Sequence, residues 1–390
     1  MKLSLKHYLL FLAGIDSVMG SQRSCAIIAN RASGEVSFVS DTQDVYSTPL
    51  PGANGMNVKI YFVFTPPNSL TVYITVIAEP MYVSTSGGKI FVGDRGNESV
   101  VVFDSNDIEE PRVIEGVGSG IFHQWNNEDY LVVALDEMQS IVIISIDTEE
   151  ILSTIDLTNQ GSLSLATDQR PHDIIITKDD VIFVSVIGPT SGDAIIRVDM
   201  DTMASSVKLD LPIGTDPHLA LSPMTPDHLY SPQQGLNRVA VYKFDLSDAE
   251  DPLTIDNAHG VSSDYDGDRL YVTNISNGGT DALSTISIDK DEPSELIGTA
   301  VDTPDAVPHN IAVTKDNKIY VTHSGATAST VSLFELDEND LPTFISTINV
   351  GLNPFGLAVL NSKCPNIMSS KSFKSSKSAK ASKGMRGSRA

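Results

Sequence analysis

The chain has 390 residues, 41% of them hydrophobic, and its 50 acidic and 26 basic side chains give a net charge of −24. That apolar content is enough to bury a large core, while the acidic excess argues against a nucleic-acid partner. After the first twenty residues no apolar run is long enough to span a bilayer as a helix, so no transmembrane segment is expected.

In chain order, residues 1–20 read as a signal peptide: Lys2 and Lys6, the apolar run YLLFLAG, then small residues near Gly20. Three short β-prone runs follow, CAIIAN from Cys25, GEVSFVSD from Gly34 and VYSTPLP from Val45. Residues 54–78 break the register that the rest of the chain keeps. They are apolar, β-prone and nearly uncharged, which fits either an added hairpin turning at Pro66-Pro67-Asn68 or a gene-model error.

From Met81 onward one short stretch recurs, a small or apolar residue, often Pro, then a key residue and a β run. The key positions are Met81, His123, His172, His218, His259, His309 and Phe355, at intervals of 42, 49, 46, 41, 50 and 46 residues. A period in that range marks a repeat architecture. After His309 come KIYVTH, TVSLFEL and FISTINV, separated by the turns KDN, SGATAS and DEND, and the order after His259 is the same. Each unit offers four short strands rich in Val, Ile and Tyr, which predicts β-propeller blades. No window keeps a helical period, so a helical solenoid is disfavoured.

Six complete blades are expected from about Met81 to Gly351. The seventh must be composite, with FGLAVL near the C-terminus as first strand and the N-terminal runs as the other three, which removes an open sheet edge. Cys25 and Cys364 map onto the same hairpin turn of that blade, because each occupies the register of Lys318 in its own copy. A Cys25–Cys364 disulfide is therefore expected, worth about 4–5 kcal/mol on the chain-entropy account. The propeller is expected to run over residues 24–364.

The strands LYVTN (from Leu270), IYVTH, IFVGD and CAIIAN resemble the YVTN family of seven-bladed propellers, within the quinoprotein amine dehydrogenase-like group, over roughly residues 24–362. The resemblance implies an all-β, seven-bladed propeller; it implies no single chemistry. Residues 366–390 hold seven of the 26 basic side chains and no acid, with a basic residue at every third position from Lys371. Such a low-complexity tail is expected to be disordered. Its K-S-x-K spacing is similar to silaffins, lysine- and serine-rich peptides that bind silica, and suits an anionic mineral or polysaccharide; a solvated tail with no partner is the alternative.

In a propeller the first strand of each blade lines the channel, so the key residues converge near one mouth. His123, His172, His218, His259 and His309 are the candidate ligands for copper, zinc or iron. The plainer alternative is that each histidine only hydrogen-bonds a neighbouring blade. A second polar row ends the second strands, Asn30, Asp94, Gln233, Asn274 and His323, with Arg31 and Arg95 following two of them. These seven are candidate ligand-binding residues, although loop polarity also explains them. Asp264, Asp266 and Asp268 in DYDGD lack the distal Glu of a calcium loop and read as an Asp-Gly turn. Asn97 and Asn274 begin N-x-S sequons.

These features predict a secreted or cell-wall binding module, monomeric, taking a small molecule, protein or metal at the channel mouth. A metal-dependent oxidoreductase or lactonase-like hydrolase is the second reading, and a structural cell-wall platform the third.

Overall fold

The computed structural model describes residues 24–51, 61–65, 69–73, 78–275, 281–360 and 364. The expected signal segment and basic tail lie outside these residues. Seven four-stranded antiparallel sheets form a β-propeller, with two short 3₁₀ turns at Gly161–Leu163 and Gln234–Leu236 as the helical pieces among the described residues. The innermost strands of blades 1 to 6 are Pro80–Ser86, Ile121–Asn126, Arg170–Ile176, Ala220–Leu221, Ala258–Ser263 and Pro308–Val313.

Blade 7 is composite, as the register requires. Its innermost strand, Pro354–Leu360, pairs antiparallel with Cys25–Asn30, which continues outward through Glu35–Ser40 to Val45–Pro49. Cys25 and Cys364 are disulfide-bonded across 339 residues of sequence, with Cα atoms 4.8 Å apart. Residues 61–65 and 69–73 pair with each other as a separate two-stranded sheet; the expected turn at 66–68 lies outside the described residues.

Each sheet is covered on both faces by its neighbours, so the middle strands read as continuous apolar runs rather than alternating ones. Tyr130–Leu135 (YLVVAL) and Ser140–Ser145 (SIVIIS) are buried along almost their whole length. The outermost strands have one solvated face, and Glu295–Asp302 is correspondingly mostly exposed. Seven apolar clusters fill the seven blade interfaces, from the Phe38/Phe103 cluster between blades 7 and 1 round to the Ile28/Tyr320 cluster between blades 6 and 7. One cluster per interface leaves no sheet face uncovered, and each fully buried Val, Ile or Leu contributes roughly 1.5–3 kcal/mol. Turns carry their own side-chain bonds. In DEND, Asp337 Oδ1 accepts from Asn339 N (2.7 Å) and Leu341 N (3.0 Å), and in DYDGD, Asp264 Oδ1 accepts from Gly267 N (2.7 Å).

Candidate metal and ligand site in the channel

Every innermost strand except the short one of blade 4 carries a register shift where it faces its second strand. Pro171 opposes Val186 while Ile174 opposes Val184, and the same slip separates Ala258 from Val261 and Pro308 from Ile311. Such a bulge puts one extra residue on the inner strand and re-aims its side chains. The key residue and its successor occupy the bulge, which turns the key side chain toward the axis.

The Thr of the YVTN-like strand holds that bulge. Thr273 Oγ1 accepts from Gly260 N (2.8 Å) and donates to the His309 carbonyl of the next blade (3.1 Å). Thr322 Oγ1 repeats this one blade on, accepting from Asn310 N (3.0 Å) and donating to the Phe355 carbonyl (3.0 Å). In blade 3, Ser185 Oγ accepts from Asp173 N (2.9 Å). One hydroxyl thus ties the residue after one key position to the key residue of the next blade, which keeps adjacent rings in step.

The rings form a continuous belt. Centroid separations are 4.8 Å from His172 to His218, 4.0 Å from His218 to His259, 4.7 Å from His259 to His309 and 4.2 Å from His309 to Phe355. Blade 2 departs from the expected register. Ile121 opposes Leu135 and His123 opposes Ala134, so Phe122 takes the key position and His123 the one after it. The missing Pro before the blade 2 copy was the only sequence sign of this slip. Phe122 accordingly stacks beside His172 (4.8 Å), while His123 joins a second layer formed by the residues that follow the key ones. There it packs on Tyr82 (3.7 Å) and sets Nδ1 2.9 Å from Asp173 Oδ1. Met81 is fully buried.

Asp173 links the two layers. Its Oδ1 accepts from Ile174 N (2.7 Å), and its Oδ2 accepts from Leu219 N (2.9 Å) and lies 3.7 Å from His218 Nδ1. Burial by itself would raise this carboxyl, but the charges and hydrogen bonds of His123 and His218 outweigh it and hold Asp173 well below the usual carboxylate range.

The blade 4 loop adds a second carboxylate. Asp216, in the left-handed region at φ 51°, has its backbone N–H anchored on Asp193 Oδ2 (2.8 Å), and its Oδ1 lies 3.6 Å from His172 Nε2. One ligand atom each from His172, Asp216 and His218 fall within 4.8 Å of one another. His172 Nε2, His218 Nε2, His259 Nε2 and Asp216 Oδ1 are all buried without a hydrogen-bond partner among the described residues. Burial, then the neighbouring His218, pushes His172 down to about 3. Burial and the neighbouring histidines also hold His259 and His309 well below the ordinary imidazole value. These three rings are therefore neutral at pH 7, the form in which imidazole ligates a metal. His259 Nδ1 lies 3.0 Å from Gln234 Oε1, which makes it the protonated nitrogen and leaves the Nε2 lone pair free.

The second polar row is set inside the blades. Asn30 Nδ2 donates to Ser37 Oγ (2.8 Å), Gln233 Nε2 to Tyr242 OH (2.9 Å) and Asn274 Nδ2 to the Asp256 carbonyl (2.9 Å). His323 contacts the Ala306 carbonyl (3.2 Å) and Ser332 Oγ (2.7 Å), and Asp94 Oδ1 accepts from Glu79 N (2.8 Å). Arg31 pairs with Glu79 (2.6 Å), joining blade 7 to blade 1, and Arg95 pairs with Asp136 (2.9 Å), joining blade 1 to blade 2. Asn274 is 8% exposed, too enclosed to carry a glycan in the folded state. Sequence reasoning overlooked Asp173 and Asp216. Their signal was an acid within two residues of a Pro-His pair, in PHD and DPH.

No family model and no curated protein match the sequence. Among solved structures, the chain is similar to a protein provisionally assigned as a 6-phosphogluconolactonase from Bacteroides fragilis (15% identity, TM-score 0.63, 88% of this chain and 99% of that one). It is also similar to the periplasmic gluconolactonase of Pseudomonas aeruginosa (13%, 0.62, 87% and 99%). A third similar structure is virginiamycin B lyase from Staphylococcus aureus (14%, 0.51, 71% and 87%). At these identities the likeness establishes the fold, a propeller that carries lactonases and a lyase alike.

Proposed function

We propose that the protein is an extracellular propeller that binds a divalent transition metal at the channel mouth through His172, Asp216 and His218. The observation that carries this reading is the convergence of two imidazoles and one carboxylate whose ligand atoms have no hydrogen-bond partner among the described residues. A His₂-carboxylate set with an open position suits zinc or iron, and copper binds most tightly in the general affinity order. Asp173 fits the outer-sphere role: its carboxylate, 3.7 Å from His218 Nδ1, favours the proton on that nitrogen and leaves Nε2 to face the metal. His259, whose Nε2 is unpartnered in the next place round the belt, is the candidate fourth ligand. His309 completes the belt, and His123 supports it from the second layer through Asp173. The disulfide fits an oxidising compartment, and among the described residues no helix is long and apolar enough to cross a membrane. The finer family reading, a YVTN-type repeat, is supported by the inter-blade work of Thr273 and Thr322. In this reading residues 1–20 direct secretion and the basic tail adsorbs to an anionic mineral or polysaccharide, with the propeller monomeric.

The test is metal content by mass spectrometry after loading with Zn²⁺, Cu²⁺ or Fe²⁺ and dialysis, alongside His172→Ala and Asp216→Ala. One metal per chain is expected for at least one ion, with tenfold or greater weakening in each variant. No retained metal, or unchanged affinity in both variants, rules the site out.

A second reading, a lactonase-like hydrolase, draws on the full-length fold likeness to gluconolactonases and on the ability of a bound metal to activate water. Chelator-sensitive hydrolysis of glucono-δ-lactone would favour it; metal binding without turnover would leave the binding module.

A further inference from the structure

Behind the belt, on the side of the second layer, the innermost strands of all seven blades enclose a central cavity of about 290 Å³. That is near the lower end of small-molecule sites, enough for roughly one ring-sized molecule. Three features define what it would take.

First, among the described residues no Lys or Arg lines it, and the titratable lining groups are Tyr82, His123, Asp173 and His218. A phosphate or carboxylate would be desolvated there with no cation to meet it, which is costly. Asp173 is 4% exposed and already engaged by two backbone N–H groups and His123, so it is not a free counter-ion for a cationic ligand either.

Second, two lining hydroxyls have spent their protons. Thr85 Oγ1 donates to the Val359 carbonyl (3.1 Å) and Ser262 Oγ to the Ser263 carbonyl (3.2 Å). What they offer the cavity is lone pairs, which call for a ligand rich in O–H donors. With His123 Nδ1 turned to Asp173, Nε2 is the ring nitrogen left for the channel.

Third, the cavity wall includes Trp125, the single tryptophan of the chain, on the innermost strand of blade 2 and 40% exposed. Apolar lining also comes from Val261, Ile311 and Leu357 on blades 5, 6 and 7. An indole face packs against a C–H surface, while its N–H remains a donor.

From this combination we infer that the channel is a second, metal-independent site for a small uncharged polyhydroxylated molecule of monosaccharide size, with Trp125 as its stacking platform. The lack of Lys or Arg among the described lining residues makes the site selective against phosphorylated forms of the same molecule. A donor-rich neutral ring satisfies the lone pairs of Thr85 and Ser262 and lays its C–H face on the indole at once.

Trp125 is its own reporter. Full-length protein, stripped of metal with EDTA so that the result is independent of the mouth site, is titrated with D-glucose, D-galactose, D-glucose 6-phosphate and putrescine while indole fluorescence is read. A saturable change with at least one neutral sugar is expected, with Kd on the order of 1 mM or tighter, and at least tenfold weaker binding of the phosphate and the diamine. By calorimetry, Trp125→Ala should weaken binding at least tenfold and Trp125→Tyr should restore most of it. Ser262→Phe, which fills the cavity from a different blade, should abolish binding with the fold intact by circular dichroism. No saturation by either sugar, equal or tighter binding of glucose 6-phosphate or putrescine, or Ser262→Phe binding like the wild type overturns the inference.

Discussion

At the residue scale the fold holds His172, His259 and His309 neutral where an unfolded chain would offer ordinary imidazoles. A histidine held down in the native state takes up its proton in the unfolded state first, so acid favours unfolding. The loss begins as pH falls below about 6.5, the ordinary value, and for His172 continues to about 3. His259 and His309 act in the same direction. Asp173 acts in the same direction only below about 3.8, its ordinary value, because a carboxyl held low in the folded state keeps its contribution above that pH. We expect the melting temperature of the metal-free protein to fall steadily between pH 6.5 and pH 4. His172→Asn should flatten that fall by removing up to about 3 kcal/mol of the pH 4 penalty. Parallel curves for wild type and variant would mean that His172 titrates normally.

At the element scale the unit that matters is the bulged inner strand and the hydroxyl opposite it. The repeat of Pro-His and of the YVTN-like strand was legible because both recur at a blade-length period. Why they recur together was not, since the bond from Thr273 to His309 crosses 36 residues and two blades. Gly260 follows from the same geometry. A Cβ there would collide with the His309 carbonyl and press on Thr273 Oγ1, so the close approach of two backbones requires glycine. Gly260→Ala should cost about 2 kcal/mol or more by chemical unfolding. Gly325→Ala, where the added carbon meets only Ala328 Cβ at 3.6 Å, should stay within about 0.5 kcal/mol. Equal effects at the two sites would show that the inner strands can separate freely. The slip in blade 2 belongs to this scale too. Phe122 and His123 are adjacent, and only the pairing of Ile121 with Leu135 decides which of them faces the axis.

At the scale of the whole molecule, closure depends on joining the two ends of the chain in blade 7. The strand pair Cys25–Asn30 with Pro354–Leu360 supplies the hydrogen bonds, and the disulfide makes the join covalent. Cys25→Ser with Cys364→Ser should lower stability by roughly 3–5 kcal/mol through the entropy of a nearly full-length loop. The non-reduced wild type should weigh about two mass units less than the reduced chain. A double variant as stable as the wild type would place closure wholly in strand pairing and the apolar interfaces.

By itself the sequence determined the blade number, the composite seventh blade, the pairing of Cys25 with Cys364 and the row of key positions in every blade but the second. All of these are periodic, and a period survives in one dimension. Only the tertiary structure decided that Phe122 displaces His123 from the belt, that Asp173 bridges the two histidine layers and that Asp216 swings in beside His172. The same holds for the polar row from Asn30 to His323, which is set within the blades. These outcomes turn on single-residue register and on bonds between blades, and a one-residue shift in a strand reverses which side chains face the axis while leaving the pattern of residue types unchanged.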